Sequence, residues 1–252
     1  MRMLGVYGSK SQNSQLSSYL LDEKTVIDAG NLIQSLGDDF LKLDNILITH
    51  AHFDHIVDLP TAIDTYYSRI EKPINIFATQ EVLDILQENI FNNKVWPDFS
   101  KIPLLNGNGP TMIFNAIEYF KDYTIGNFTF KPYPNFHTFG SCGYVINDSM
   151  VFTSDTFICY FTWQLLNENK NLKKLIIEVS FPSAFNRLAV FSKHLTPTLL
   201  ASELESLERD DVEIYINHIK YEYYDQIIAE LKEIGLYDNL TILDDNDEIE
   251  IG

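Results

Sequence analysis

The six residues His50-Ala51-His52-Phe53-Asp54-His55, directly after the apolar run Asn-Ile-Leu-Ile-Thr, constrain the fold of this chain more than any other stretch. Four groups able to bind a metal stand on one short loop at what reads as a strand end. Residues two apart on an extended backbone point the same way, so His50 and His52 can share one ion. Asp54 and His55 follow a turn and can face another. A polar loop that holds three histidines by chance is the bland alternative, and it leaves the strand-end placement unexplained.

Such a loop needs ligands from elsewhere. The chain has only six histidines, and the other three, His137, His194 and His218, fall after or between predicted elements and not on apolar helix faces. Any one alone would read as structural; beside the loop they become candidates. Asp155 closes the apolar run Met-Val-Phe-Thr-Ser, where its two carboxylate oxygens could bridge cations about 3.5 to 4 Å apart. A helix N-cap is its structural alternative. Imidazole and carboxylate together suit zinc, and also manganese or iron, so we expect two divalent metal ions with Zn2+ as the default.

Around these residues the periodicity predicts strands over 17–21, 24–30 and 45–50, then helices over 61–70 and 79–91, the second capped by Thr79. Strands follow over 123–134, 143–148 and 149–155, a helix over 162–171 and a buried strand over 173–181. Thr196 with Pro197 opens another helix that carries Leu199, Leu200, Leu204 and Leu207. A strand over 212–218, a helix over 223–235 closed by Gly235, and one or two short strands over 239–251 complete the pattern. No repeat or linker interrupts it, which predicts a single domain over 1–252.

The formal charge of −18 would repel a long polyanion, which binds through many Lys and Arg contacts to phosphates. No run approaches the roughly 18 apolar residues of a membrane span. The start Met-Arg-Met-Leu-Gly lacks a secretory pattern, so a cytoplasmic protein without membrane contact is expected. Cys142 and Cys159 show no metal-ligand spacing and read as buried small hydrophobes.

Taken together, these blocks resemble the metallo-β-lactamase superfamily and, within it, the class II 3′,5′-cyclic-nucleotide phosphodiesterases. The resemblance runs nearly end to end. It rests on Ser-Ser-Tyr-Leu-Leu and Val-Ile-Asp-Ala-Gly early, Thr-His-Ala-His-Phe-Asp-His in the loop and Phe-Thr-Ser-Asp-Thr-Phe around Asp155. Glu178-Val-Ser-Phe-Pro, His194-Leu-Thr-Pro and His218-Ile-Lys are more specific than the loop. It implies an α/β fold, an αββα sandwich of two mixed β-sheets with helices on the outer faces, and a homodimer. It further implies that His50, His52, His137 and Asp155 hold one metal, that Asp54, His55, Asp155 and His218 hold the other, and that Asp28 braces the loop. Two positions depart from the family pattern: Asp58, which would add negative charge near the metals, and Tyr221, whose ring could stack a base.

The function expected is hydrolysis of a 3′,5′-cyclic nucleotide such as cyclic AMP or cyclic GMP to the 5′-nucleotide by a bridging hydroxide between the two ions. The candidate catalytic residues are Asp54, His194 and Glu178. His194 would protonate the leaving oxygen, and Glu178, a lone acid in an apolar strand, would hold its ring. A core salt bridge is the alternative for that pair. Lys220 could contact a phosphate oxygen and Ser180 or Thr196 could position neighbouring groups, although solvated lysines and capping threonines are the commoner readings. Tyr66, Tyr67, Trp96, Phe99 and Phe136 read first as core, with a base pocket as the functional alternative. A tRNA 3′-end endonuclease-like enzyme is the nearest rival, but only 22 residues separate Asp155 from Glu178 and none forms a basic arm. A thioester or lactam hydrolase, or a nucleotide-binding module without turnover, completes the alternatives.

Overall fold

Strand alternation sorts the apolar residues into two cores. In the computed structural model, which describes residues 1–252, Val26 and Ile46 point into one cluster while their neighbours Ile27 and Leu47 point into the other. They belong to a six-stranded sheet of β1 (Arg2–Gly5), β2 (Ser18–Asp22), β3 (Thr25–Ile27), β4 (Asn45–Leu47), β5 (Ile74–Thr79) and β6 (Met112–Ile117), in that order. The β1–β2 and β2–β3 pairs are antiparallel, and β3 through β6 are parallel.

The second sheet has seven strands: β7 (Tyr123–Ile125), β8 (Phe128–Pro134), β9 (Cys142–Ile146), β10 (Met150–Phe152), β11 (Lys174–Glu178), β12 (Glu213–Asn217) and β13 (Leu240–Ile242). Strands β7 to β10 are antiparallel and β10 to β13 parallel. Both sheets are therefore mixed, and the larger core cluster joins residues of both.

Helices α1 (Ile33–Leu36), α2 (Phe53–Ile56), α3 (Asp58–Tyr66) and α4 (Gln80–Asn89) accompany the first sheet. Leu59, Ala62 and Ile63 of α3, with Val82, Leu83 and Leu86 of α4, seal its outer core. Helices α5 (Tyr160–Glu168), α6 (Asn186–Ser192), α7 (Pro197–Leu204) and α8 (Tyr224–Glu233) accompany the second sheet. Trp163, Leu200, Ile227 and Leu231 pack from α5, α7 and α8 into its cluster. The result is the αββα sandwich. Thr79 and Thr196 cap α4 and α7 as expected, their hydroxyls accepting from Val82 N and Leu199 N.

Six elements had no clear signature in the sequence, the one-turn helices α1 and α2 among them. Strand β1 is only four residues long, β5 runs directly into α4, and β6 forms the sheet edge with Ile113 exposed and Asn115 interrupting its apolar pattern. Helix α6 buries only Ala189 and leaves Leu188, Val190 and Phe191 exposed, so it has no apolar stripe to read. No helix is long and apolar enough to cross a membrane.

Candidate metal centre

Parallel pairing brings chain ends of like polarity to one edge of each sheet, and there the candidate residues collect. Asp28 follows β3 and the His50–His55 loop follows β4; Asp155 follows β10, Glu178 ends β11 and His218 follows β12. His137 comes from the loop between β8 and β9. Three of the turns are left-handed on residues that have a side chain: Asp28 at φ 59°, Ser154 at φ 55° and His218 at φ 58°. Such backbone costs about 1 kcal/mol or more per residue and persists where the surroundings impose it.

Asp155 lies at the middle of the cluster. Its Oδ2 is 3.7 Å from His50 Nε2 and 3.6 Å from His137 Nε2, while its Oδ1 is 3.3 Å from His55 Nε2 and 3.2 Å from His218 Nε2. Each oxygen thus faces its own pair of imidazoles. His52 joins the first group, its Nδ1 3.0 Å from His137 Nε2, and Asp54 joins the second, its Oδ2 3.4 Å from His218 Nε2. The ligand atoms within each set, His50, His52, His137 and Asp155 or Asp54, His55, Asp155 and His218, lie within 4.8 Å of one another.

These residues fit divalent cations on chemical grounds. Both Asp155 oxygens and His50 Nε2 are buried without a hydrogen-bond partner, which in a protein interior costs about 1 to 3 kcal/mol per group. Two pairs of ring nitrogens face one another at 3.0 and 3.3 Å, a separation that asks for a cation or proton to be shared. Inward-facing imidazoles around a central carboxylate are a donor set for metal.

The outer ring nitrogens are held from behind. His55 Nδ1 meets Asp28 Oδ2 at 2.7 Å, His50 Nδ1 meets Thr49 Oγ1 at 3.1 Å, His137 Nδ1 meets the Lys193 carbonyl at 3.0 Å and His218 Nδ1 meets Ser180 Oγ at 3.0 Å. Contacts of this kind aim the opposite nitrogen inward. Asp28 also accepts from the backbone N–H of Thr49 at 2.9 Å and from the Thr49 hydroxyl, so it ties the start of the loop to its end. Asp28→Ala strands those donors, and we expect a loss of about 3 kcal/mol in the metal-free protein. For a chain of this length that is a fall of roughly 6–12 °C in unfolding midpoint. A calorimetric midpoint equal to that of the parent would refute the bracing role.

His194 and Glu178 meet as the sequence suggested. His194 Nδ1 is 2.7 Å from Glu178 Oε1, and both side chains are buried. The same Glu178 accepts from the N–H of Thr156, so the lone acid of β11 is satisfied. Burial alone would lower the pKa of His194; the charge and hydrogen bond of Glu178 outweigh it and raise the pKa above the usual imidazole value. Burial lowers His50 and His52, and brings His137 down to about 4, leaving their lone pairs free near neutrality. Burial opposes ionisation of Asp54, but hydrogen bonding from His218 and the charges of His55 and His218 hold it well below the usual carboxylate range.

Most of the other candidate positions serve the fold. Asp58 spends its carboxylate on the N–H groups of Leu32 and Ile33 at 2.7 and 2.9 Å, at the start of α1, and is absent from both ligand sets. Tyr221 packs edge-on against Tyr7 with ring centroids 5.3 Å apart. Lys220 donates to the Gly8 carbonyl and lies over the Phe181 ring. Tyr66 and Phe99 are core, and Tyr67 and Trp96 pack against it. Phe136, beside His137, is 52% exposed, as is Phe53 in the loop at 69%. With the exposed His52 they mark the open side of the centre. Ser180 joins Glu178, His194 and His218 through one buried hydroxyl, an arrangement that its place two residues after Glu178 suggested only as a positioning role.

A family model described as "Anti-Pycsar protein Apyc1" matches residues 1–193, which include the loop, His137, Asp155 and Glu178. The chain is 27% identical over 210 residues to "Probable 3′,5′-cyclic-nucleotide phosphodiesterase" of Yersinia pestis, covering 71% of this chain and 57% of that protein. It is 26% identical over 205 residues to "3′,5′-cyclic-nucleotide phosphodiesterase 1" of Saccharomyces cerevisiae, covering 71% and 55%. The chain thus spans a little over half the length of these relatives. Among solved structures it is similar to unliganded yeast PDE1, with TM-score 0.75 and 18% identity over 98% of this chain and 96% of that one. Similar too are the metallo-β-lactamase fold protein YhfI of Bacillus subtilis (0.73, 16%, 98% and 96%) and the short form of human tRNase Z (0.67, 17%, 100% of both). The shared fold is that of the metallo-β-lactamases.

Proposed function

We propose, since the chain belongs to the Anti-Pycsar protein Apyc1 family, that it hydrolyses a 3′,5′-cyclic nucleotide to the 5′-nucleotide at a centre for two divalent cations. The observation that carries this reading is Asp155, whose two unpartnered oxygens each face a separate set of ligands. The names of the curated relatives support the choice of substrate.

Such ions, zinc by the donor set, supply Lewis-acid charge for phosphoryl oxygens and make water nucleophilic near neutral pH. The chain's own residues do the rest. Asp155 offsets the charge between the two sets, His50, His52 and His137 complete one, and Asp54, His55 and His218 the other. Asp54 and His52 border the open side, where a nucleotide enters beside Phe53 and Phe136. His194, with Nδ1 committed to Glu178, keeps Nε2 for the leaving ribose oxygen and donates the proton that oxygen needs. The charge of −18 suits a small substrate better than a long nucleic acid. The reading takes the protein as a cytoplasmic, single-domain homodimer.

The deciding experiment incubates metal-analysed protein with cyclic AMP, cyclic GMP, cyclic CMP and cyclic UMP, and separately with precursor tRNA, with and without chelator. Ring opening to a 5′-nucleotide that chelator abolishes is the expected result. Cleavage of tRNA alone would replace the proposal with RNA processing. Two bound ions without any cleavage would move the search to carbonyl substrates.

A further inference from the structure

The Ser180 hydroxyl is fully buried and stands among three groups of the centre. Its Oγ is 2.6 Å from Glu178 Oε2, 3.0 Å from His218 Nδ1 and 3.1 Å from His194 Nδ1. Its backbone is fixed as well: the Ser180 N–H donates to the Leu195 carbonyl, and the Ser180 carbonyl accepts from the Lys220 N–H. The hydroxyl cannot be a surface polar group that happens to lie near a histidine.

Hydrogen counting orders the network. A hydroxyl has one proton to give, and a carboxylate at 2.6 Å is its strongest acceptor, so Ser180 donates to Glu178 Oε2. The lone pairs of Ser180 then accept from His218 Nδ1, which must carry a proton. With Nδ1 protonated, the lone pair of His218 lies on Nε2, the atom that stands 3.2 Å from Asp155 Oδ1 and 3.4 Å from Asp54 Oδ2. The other oxygen of Glu178 accepts from His194 Nδ1 at 2.7 Å. One carboxylate and one hydroxyl therefore set both rings, which lie nearly parallel with an interplanar angle of 16°.

We infer that Ser180 is a positioning residue whose hydroxyl fixes His218 as an Nε2 ligand and links it, through Glu178, to the ring of His194. The inference rests on the two-cation reading. Removing the hydroxyl takes the acceptor from His218 Nδ1 and frees the ring to change tautomer or rotate, which weakens the Asp54, His55, Asp155 and His218 set while leaving the His50, His52, His137 and Asp155 set in place. Loss of a partner behind a ligand typically lowers metal affinity about 10- to 100-fold.

The test titrates chelator-stripped wild type, Ser180→Ala and Ser180→Cys with Zn2+ by calorimetry, and records the ring nitrogens of 15N-histidine-labelled protein by NMR. The cysteine variant keeps the volume of the site and supplies only a weak hydrogen-bonding group, so one folded variant suffices. Two ions on the wild type, with one site weakened about 10- to 100-fold and faster exchange of the His218 Nδ1 proton in the variants, is the expected result. Wild-type affinity and tautomer in either folded variant would overturn the role of Ser180 while leaving the centre standing. Fewer than two ions on the wild type would overturn the two-cation reading itself.

Discussion

Asp155→Ala should strip both cations from the protein and abolish turnover together. Four imidazole nitrogens lie within 3.7 Å of its two oxygens, and no other carboxylate is common to both ligand sets. Without it, two dications would repel one another across a cleft with no shared carboxylate between them. We expect less than one ion per chain by elemental analysis and a loss of cyclic-nucleotide hydrolysis of at least about 10³-fold, comparable to deleting a central catalytic group. Asp155→Asn, similar in shape but neutral, should behave nearly as badly. Two ions and unimpaired turnover in either variant would place the bridge on another residue.

His194→Ala should give the opposite pattern: full metal content and slow chemistry. Its side chain is in neither of the two ligand sets around Asp155, although it lies beside His218 with ring centroids 5.4 Å apart. Loss of a general acid typically costs about 10²- to 10⁴-fold, and the loss should fall on kcat with little change in KM. The pH profile supplies a second reading. A proton donor works in its protonated form, so kcat declines as pH rises through the His194 pKa. Glu178 raises that pKa against the lowering effect of burial, hence Glu178→Gln should move the basic limb to lower pH. An unshifted limb in Glu178→Gln, or unchanged kcat in His194→Ala, would remove His194 from the chemistry.

The sequence made the centre more legible than the fold that carries it. Metal ligands are few in type and cannot be exchanged for other residues, so His50 to His55 announced themselves by spacing, and Asp155 by its place after an apolar run. The ligands outside the loop were harder: His137 and His218 became candidates only because the loop needed partners. Ser180 was named only as a residue that could position its neighbours, since the three partners of its hydroxyl are brought together by the fold. Strands β5 and β6 were missed because Asn75 and Asn115 interrupt their apolar runs and β5 passes directly into α4. Asp58 and Tyr221 are engaged within the fold. Proximity in sequence to the loop and to His218 suggested influence on the substrate, but a short polar side chain close to a helix start prefers the unpaired amides there, and an aromatic ring close to other rings prefers to pack.

Each ligand set draws two groups from the first sheet and two from the second, with His55 and His218 brought together across most of the chain. No early folding intermediate that holds only one sheet can present a complete ligand set. Cations that bind tightly to the finished sandwich can therefore contribute little at the rate-limiting assembly of the sheets, and their effect falls mainly on escape from the native state. A loaded protein of this design unfolds slowly without having folded fast, and its persistence is set by how long the ions stay.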